Sequence, residues 1–492
     1  MTAPAPAGTC LGRAAAPLCA EHAGRSGICV LPDGRGAFAA RALLADAAES
    51  TIDAQYYIWR GDMSGTLLLE ALHRAAQRGV RVRLLLDDTN TAGLDATLAA
   101  LNAHPNAAVR LFNPFKLRRW RWLNLLTDFS RLNRRMHNKS FTVDNQATII
   151  GGRNIGDEYF GAGDGMMFAD LDVLAIGPVV DDVSTDFERY WNSPSAYPAE
   201  RVLPAADPRA AAALSSSASL LQRNPAASSY VEALAHTQFV RDLLAGTLAF
   251  EWATTRLVSD DPAKALGRAP RAAMLPERLV RILGEPTAEL QIVSPYFVPT
   301  RAGAGWMESL ANRGIRVCVL TNSLEATDVA AVHAGYARHR GPLLAHGITL
   351  YELKRAASGG LSARGPRIFP SRRGGSRGGS SGSSLHAKTF AVDRSRVVVG
   401  SFNFDPRSAR LNTEMAFVID SPGLAQAMAD AFAGAIPADS YAVHLMDSGR
   451  LQWIEQQPGS APARIHGTEP GTTFWQRGAV HVLSLLPIDW LL

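Results

Sequence analysis

A chain of 492 residues exceeds the size at which one hydrophobic core keeps growing, so two or more domains are expected. Hydrophobic content of 47% and charged content of 19% are ordinary for a globular protein, and no segment approaches the run of about eighteen apolar residues that a membrane-spanning helix needs. A formal charge of +5 and a pI near 9.1 fit a polyanionic partner without separating a membrane surface from nucleic acid.

Residues 1–38 are rich in Ala, Pro and Gly, show no sustained period and read as a loosely structured arm. They hold Cys10, Cys19 and Cys29, whose spacings fit neither a zinc ribbon nor a redox pair. With Cys318 these are expected to be reduced thiols, and the absence of a charged-then-apolar leader argues against a secretory route.

A first α/β half, 39–195, opens with a helical pattern from Ala39 and an alternating strand from Thr51 to Trp59. Leu67, Leu68, Leu72 and Ala75 then recur at helical spacing, Gly79 stands at the cap position, and Val80 to Asp88 is a buried-strand run. Residues 196–275 read as a Pro-, Ala- and Ser-rich connector with short helices. A second half, 276–440, repeats the order: a strand from Leu290, a helix from Trp306, Gly314 as cap and a strand from Ile315. Strands alternating with helices predict two α-β-α sandwich halves facing each other across a pseudo-twofold, with residues 441–492 as an amphipathic tail.

The phrase MHNKSFTVDNQATIIGGRNIG, from Met136, returns from Leu385 as LHAKTFAVDRSRVVVGSFNF. Each copy has a His, a Lys two residues on and an Asp five further: His137, Lys139, Asp144 and His386, Lys388, Asp393. On a strand, His and Lys at this spacing share one face, so an imidazole and an ammonium meet the same ligand. Ala147 to Ile150 and Val397 to Val399 read as a returning strand that delivers Asn154 in one copy and Ser401 and Asn403 in the other. A neutral imidazole also needs a carboxylate to fix its tautomer. Asp144 and Asp393 read as loop anchors rather than groups touching substrate, and Arg153 as a salt-bridge residue.

This doubled motif with its Gly-rich turn and Asn resembles the phospholipase D superfamily. Phrases such as QYYIWRGDMSG, GGRNIGDEYFGAG, SDDPAK and GSFNFDPRSARLNTEM, spread from about Ala39 to Leu492, are similar to the C-type bacterial cardiolipin synthases. The resemblance implies a metal-free site between the halves, with one His as nucleophile forming a phosphohistidine and the other as acid and base; pseudo-symmetry leaves both orders open, and His137 is taken as nucleophile and His386 as acid and base. It implies phosphoryl oxygens held by Lys139, Lys388, Asn154, Ser401 and Asn403, and His-orienting carboxylates at Glu414 and at Asp170, with Asp172 as alternate. It further implies phosphatidyl transfer to phosphatidylglycerol from phosphatidylglycerol or phosphatidylethanolamine, without a cofactor. A hydrolase or a phosphodiesterase or nuclease of the same superfamily is the alternative, and a catalytically dead membrane adaptor would have lost the histidines.

Peripheral segments bear on the substrate. Phe115 to Arg135 interleaves seven cationic residues and two tryptophans with leucines, and Thr472 to Leu492 carries Arg477, His481 and Ser484 as one polar stripe on an apolar segment. Both suit an anionic membrane surface, and the tail equally suits the cap of a domain core. The expectation is peripheral association with the cytoplasmic side of the bacterial inner membrane and no nucleic-acid partner. His333 is a candidate for the pocket, against a plain core or surface role. The Arg/Gly/Ser stretch before His386 is expected to be mobile.

Overall fold

In this computed structural model, residues 8–485 are described apart from 119, 162–166, most of 208–238, 328, 356–382 and 458–461. The first half carries β1 (Ser26–Leu31), β2 (Thr51–Ile58), β3 (Arg81–Asn90), β4 (Ala107–Phe112), β5 (Ser140–Val143), β6 (Ala147–Gly151), β7 (Met167–Ala169), β8 (Asp172–Ile176) and β9 (Ala196–Pro198). The second carries β10 (Glu251–Ser259), β11 (Glu289–Val293), β12 (Arg316–Asn322), β13 (Thr349–Leu353), β14 (Ser383–Leu385), β15 (Thr389–Val392), β16 (Arg396–Gly400), β17 (Met415–Asp420) and β18 (Ser440–Leu445). β19 (Leu451–Glu455) and β20 (Arg464–His466) follow.

All but β7 and β14 join one 18-stranded sheet. Its centre is the antiparallel pair β1–β10, with Gly27 opposite Trp252. Outward from there the order is β1, β8, β6, β5, β2, β3, β4, β9 on one side and β10, β17, β16, β15, β11, β12, β13, β18 on the other. The two orders correspond strand for strand, which is the predicted pseudo-twofold. Within each arm three neighbours are parallel, β2–β3–β4 and β11–β12–β13. Parallel neighbours require crossovers, here the helices Met63–Gln77 and Arg301–Asn312 after the first strand and Asp95–Asn102 and Ala330–Ala345 after the second.

Local chemistry repeats with the topology. Asp62 and Thr300 cap the first crossover helices through the Gly65 and Gly303 amides. Gly79 and Gly314 end them at φ 95° and 82°, where the amides of Val80 and Ile315 reach back to Ala75 and Leu310. Leu68 and Leu72 are buried on the sheet, at about 2 kcal/mol each. Unbroken burial along β5, β6 and β8 shows that both sheet faces are covered.

The structure departs from the sequence reading in three segments. Residues 1–38 are not a loose arm beyond residue 7: a helix Cys10–Glu21 precedes β1, and a helix Gly34–Ala47 follows it. The stretch 196–275 contains β10, whose alternating burial marks it as one-faced. Residues 440–466 continue the sheet as β18, β19 and β20, leaving Phe474–Leu485 as the helical part of the tail. The two strands joining the halves, β1 and β10, thus lie in the arm and the connector. The four cysteines are free thiols, and the Arg/Gly/Ser stretch lies outside the described residues.

Both motif aspartates start a turn with two consecutive positive φ values, Asp144 and Asn145 near 53° and 51°, Asp393 and Arg394 near 51° and 50°. Asp tolerates this left-handed geometry better than most residues. The Asp144 carboxylate accepts from the amides of Glu49, Ser50 and Thr51, and Asp393 from those of Thr287, Ala288 and Glu289. Each aspartate ties its hairpin to the start of β2 or β11. Asp144→Ala leaves buried donors unmet and is expected to cost roughly 2–4 kcal/mol in urea unfolding. The half-exposed Asp393→Ala is expected to cost less, and activity per folded molecule should survive in both.

Candidate active site

The motif histidines stand just before β5 and β15, on extended chain held by the other half. Met136 bridges Thr413, and the His137 amide donates to the Thr413 carbonyl. By the same symmetry β14 pairs with β7, and the amides of His386 and Ala387 donate to the Ala169 carbonyl. Thr413 and Ala169 each precede a carboxylate. His137 Nδ1 lies 2.8 Å from Glu414 Oε2, and His386 Nδ1 lies 2.5 Å from Asp170 Oδ2. Each imidazole therefore takes its acid from the opposite half, leaving Nε2 as the reactive nitrogen.

Lys139 Nζ donates to its neighbour's carbonyl, His137 O, at 2.7 Å, and Lys388 Nζ lies 2.8 Å from His386 Nδ1. Burial first, then the positive charges of Lys139 and Lys388, push His137 well below its ordinary range. Burial and Lys388 push His386 down to about 4, against the pull of Asp170. Lys139 is pushed down to about 7 by burial, with Lys388 adding to it, and Glu414 is pushed up to about 7 by burial. Burial also opposes ionisation of Asp170, but His386 and Lys388 overcome it and hold the carboxyl below the usual range. The two motifs thus act on one another electrostatically.

The remaining candidates divide. Asp172 does not orient a histidine: its carboxylate is 2.8 Å from Arg41 Nη2 and accepts from the Arg153 amide, both fully buried. Arg153 is structural, reaching the carbonyls of Leu31, Pro32 and Asp170. Asn154 has both amide ends engaged, accepting from the Ile58 amide and donating to Tyr159 Oη, so it braces the site. The Ser401 hydroxyl donates to Glu414 Oε2 at 2.5 Å and accepts from the Met415 amide. Asn403 is buried and keeps an amide oxygen without a protein partner. His333 is also buried, with Nε2 3.0 Å from Glu469. Among the described residues no group of three or more His, Cys, Asp or Glu side chains is placed to hold a metal ion.

Sequence reasoning missed three supports. Tyr57 and Tyr159 set their rings edge-on to His137 and His386, centroids 4.8 and 5.1 Å apart. Asp260 Oδ2 accepts from the Glu414 amide and from Lys264 Nζ, fixing the strand that carries Glu414. The charged pair Asp260–Lys264 in the phrase SDDPAK was the available signal. The basic segment, in contrast, is neutralised in part, chiefly by acids outside it: Arg118 pairs with Asp88 and Asp95, Arg135 with Asp87, and Arg131 with Asp128. It exposes the apolar side chains of Leu117, Trp120, Leu126 and Phe129 beside that of Lys116.

Gly152 and Ser401 occupy equivalent places, and the reason they differ is steric. A Cβ at Gly152 would stand 2.0 Å from Asp170 Oδ1. The shorter acid reaches its histidine only because the facing residue has no side chain, whereas the longer Glu414 leaves room for a serine that also steadies it. Gly152→Ser is expected to lower kcat at least ~100-fold, about 2.7 kcal/mol, by displacing Asp170. The double variant Gly152→Ser/Asp170→Glu, which copies the other half, is expected to recover part of that loss in steady-state assays.

Comparison with known proteins identifies relatives of this chain. The family described as "Cardiolipin synthase, PLD-like domain" matches residues 42–191 and 279–436, the two halves of the sheet. The Escherichia coli (strain K12) protein named Cardiolipin synthase C is 50% identical over 98% of this chain and 99% of its own. The major cardiolipin synthase of Bacillus subtilis (strain 168) is 26% identical over 80% of this chain and 65% of its own. A crystal structure of phosphatidylserine synthase from Haemophilus influenzae Rd KW20 superposes with a TM-score of 0.55 at 13% identity, covering 88% of this chain and 91% of that one, a likeness of fold. The doubled motif, the paired halves and the near full-length match together place this chain in the family of cardiolipin synthases with phospholipase D-like domains.

Proposed function

We propose that the protein is a phosphatidyltransferase that makes cardiolipin, transferring a phosphatidyl group from phosphatidylglycerol or phosphatidylethanolamine to a hydroxyl of phosphatidylglycerol. The observation that carries this reading is the reciprocal pair of imidazoles, each held by a carboxylate from the opposite half, with two buried lysines beside them.

His137 Nε2 attacks phosphorus, forming an N–P bond as the P–O bond to the departing glycerol or ethanolamine breaks. His386 gives that oxygen a proton. The acceptor hydroxyl then yields its proton to His386 and attacks the phosphohistidine, regenerating His137. The unequal acids support this order. Asp170, ionised, opposes the burial and the Lys388 charge that keep His386 neutral in the free site, and a bound phosphodiester adds negative charge in the same sense, toward the imidazolium that donates. Glu414, pushed up to about 7, exerts a weaker pull, and burial with the charges of Lys139 and Lys388 keeps His137 neutral, as a nucleophile must be. Lys139, Lys388 and Asn403 bear on the phosphoryl oxygens.

The substrates lie in a bilayer, and among the described residues no helix is long and apolar enough to cross one. The reading includes peripheral association with the cytoplasmic face of the inner membrane, supported by the exposed apolar side chains Leu117, Trp120, Leu126 and Phe129 as one contact. Free thiols suit that compartment.

Purified protein incubated with phosphatidylglycerol, with and without phosphatidylethanolamine, is expected to yield cardiolipin by thin-layer analysis; phosphatidic acid as the main product would mean a hydrolase instead. His137→Ala and His386→Ala should each abolish turnover, since residues acting as a unit fail singly. Acid-labile, base-stable label from phosphate-labelled lipid should appear on the protein in single turnover.

The pH profile has a definite sign. Lys139, pushed down to about 7, loses its proton in the free enzyme as pH rises through 7, and the Lys139–Glu414 pair titrates as one unit there. A bound phosphate restores the lysine charge. Hence kcat/KM is expected to fall above about pH 7 while kcat holds to higher pH. Parallel falls in both would remove Lys139 from phosphate binding.

A further inference from the structure

Behind the C-terminal helix lies a cavity of about 510 Å³ that takes no part in the catalytic geometry. Its walls come from the helix Ala330–Ala345, the turn joining β18 to β19, β19 itself and the inner side of the helix Phe474–Leu485. Arg338, Arg340, Arg450, Arg477 and His481 line it. The polar stripe of the tail therefore faces inward, where the sequence pattern alone had left its direction open.

The charges do not cancel. Arg340 is held by Glu352 at 3.1 Å and by Glu469 at 2.5 Å, and Glu469 also meets His333, so this buried group is a frame. Among the described residues, neither Arg450 nor Arg477 meets a carboxylate. Arg477 donates to the Thr472 carbonyl and hydroxyl, which are neutral, and Arg450 sits on the exposed hairpin turn. A cavity of that volume with such guanidinium groups suits a phosphate-bearing headgroup.

The same helix supplies a second, independent feature. Trp475, Val482 and Leu485 recur along its other side and are 81%, 60% and 72% exposed, with Phe474 at 70% beside them. An apolar helical face next to a cationic recess matches the two parts of one molecule, a phospholipid, whose phosphate and acyl chains lie at adjoining depths.

We propose that this cavity is an accessory site for the phosphate of an anionic membrane phospholipid, with the outer face of Phe474–Leu485 lying in the bilayer interface. It rests on the lipid-transfer reading above but is distinct from the catalytic centre. Charge complementarity favours an anionic lipid over a neutral one, and the apolar face favours a lipid over free phosphate or nucleic acid. Bound this way, the helix would hold the protein at the surface from which its substrates enter.

The test uses full-length protein and vesicles of phosphatidylcholine alone or with about 30 mol% phosphatidylserine, whose anionic surface attracts clustered arginines. Arg450→Glu, on an exposed turn where folding is little disturbed, is expected to weaken binding to the anionic vesicles at least tenfold and leave neutral vesicles unchanged. Trp475→Ser/Val482→Ser should weaken binding to both. Turnover of short-chain lipids dispersed as monomers should be unaltered in every variant. That control separates this site from the catalytic reading: no turnover in the unsubstituted protein would sink the transferase, while the vesicle result would still decide the accessory site. Unchanged vesicle binding in Arg450→Glu overturns the proposal. So does calorimetric binding of inorganic phosphate, or of a single-stranded oligonucleotide, that Arg450→Glu abolishes while vesicle binding persists.

Discussion

Each catalytic imidazole in this protein depends on a carboxylate that the other half of the chain provides. Neither half can orient its own histidine, so the interface and the active site are one structure. The same segments do both: Thr413 pairs with Met136 one residue before Glu414, and Ala169 pairs with the chain at His386 one residue before Asp170. Leaving a buried hydrogen-bonding group without its partner costs about 1–3 kcal/mol, and more where that group is a carboxylate. Sliding the halves would break two such pairs at once. The continuous sheet through β1 and β10 is the scaffold that prevents it.

The duplication has not stayed symmetrical. One half pairs a long acid, Glu414, with a serine, and the other pairs a short acid, Asp170, with a glycine whose missing Cβ makes the approach possible. Around Asp170 the chain is further tied by Arg153, which reaches the carbonyls of Leu31 and Pro32. The N-terminal strand thus supports the acid that holds His386. The difference between the two turns, Gly152 against Ser401, is therefore a fitted feature of the site.

Much of this was legible in the sequence because the same physical needs recur twice. Both motifs, the alternation of strands and helices, and the caps Gly79 and Gly314 depend on local pattern, and local pattern is what a sequence displays. The anchoring role of Asp144 and Asp393 followed from their place in a turn. Other features depend on partners remote in sequence. β10 was hidden because EWATTRLVS buries one face only and sits in a Pro- and Ser-rich neighbourhood; β1 was hidden in an Ala- and Gly-rich one. Arg118 and Arg135 looked like a membrane-facing cluster because Asp87, Asp88 and Asp95, which neutralise them, lie some 20 to 50 residues earlier. Asn154 and Ser401 carry the polar groups of phosphate ligands, but their hydrogen bonds point into the scaffold.

The buried lysines show how the site can favour the transition state. Burial lowers the affinity of Lys139 for a proton, and the nearby charge of Lys388 lowers it further. Two ammonium groups kept apart from water are unfavourable alone. A phosphodiester relieves that repulsion by one charge. When an imidazole attacks and the oxygens around phosphorus gain negative charge, the relief is larger still. Interactions that strengthen as the reaction proceeds lower the barrier, whereas equal binding of ground and transition states would not. A water-filled site would screen both lysines and lose the difference. The covering of both sheet faces, which first reads as an ordinary consequence of an α/β fold, is thus also what gives two lysines and two histidines their catalytic leverage.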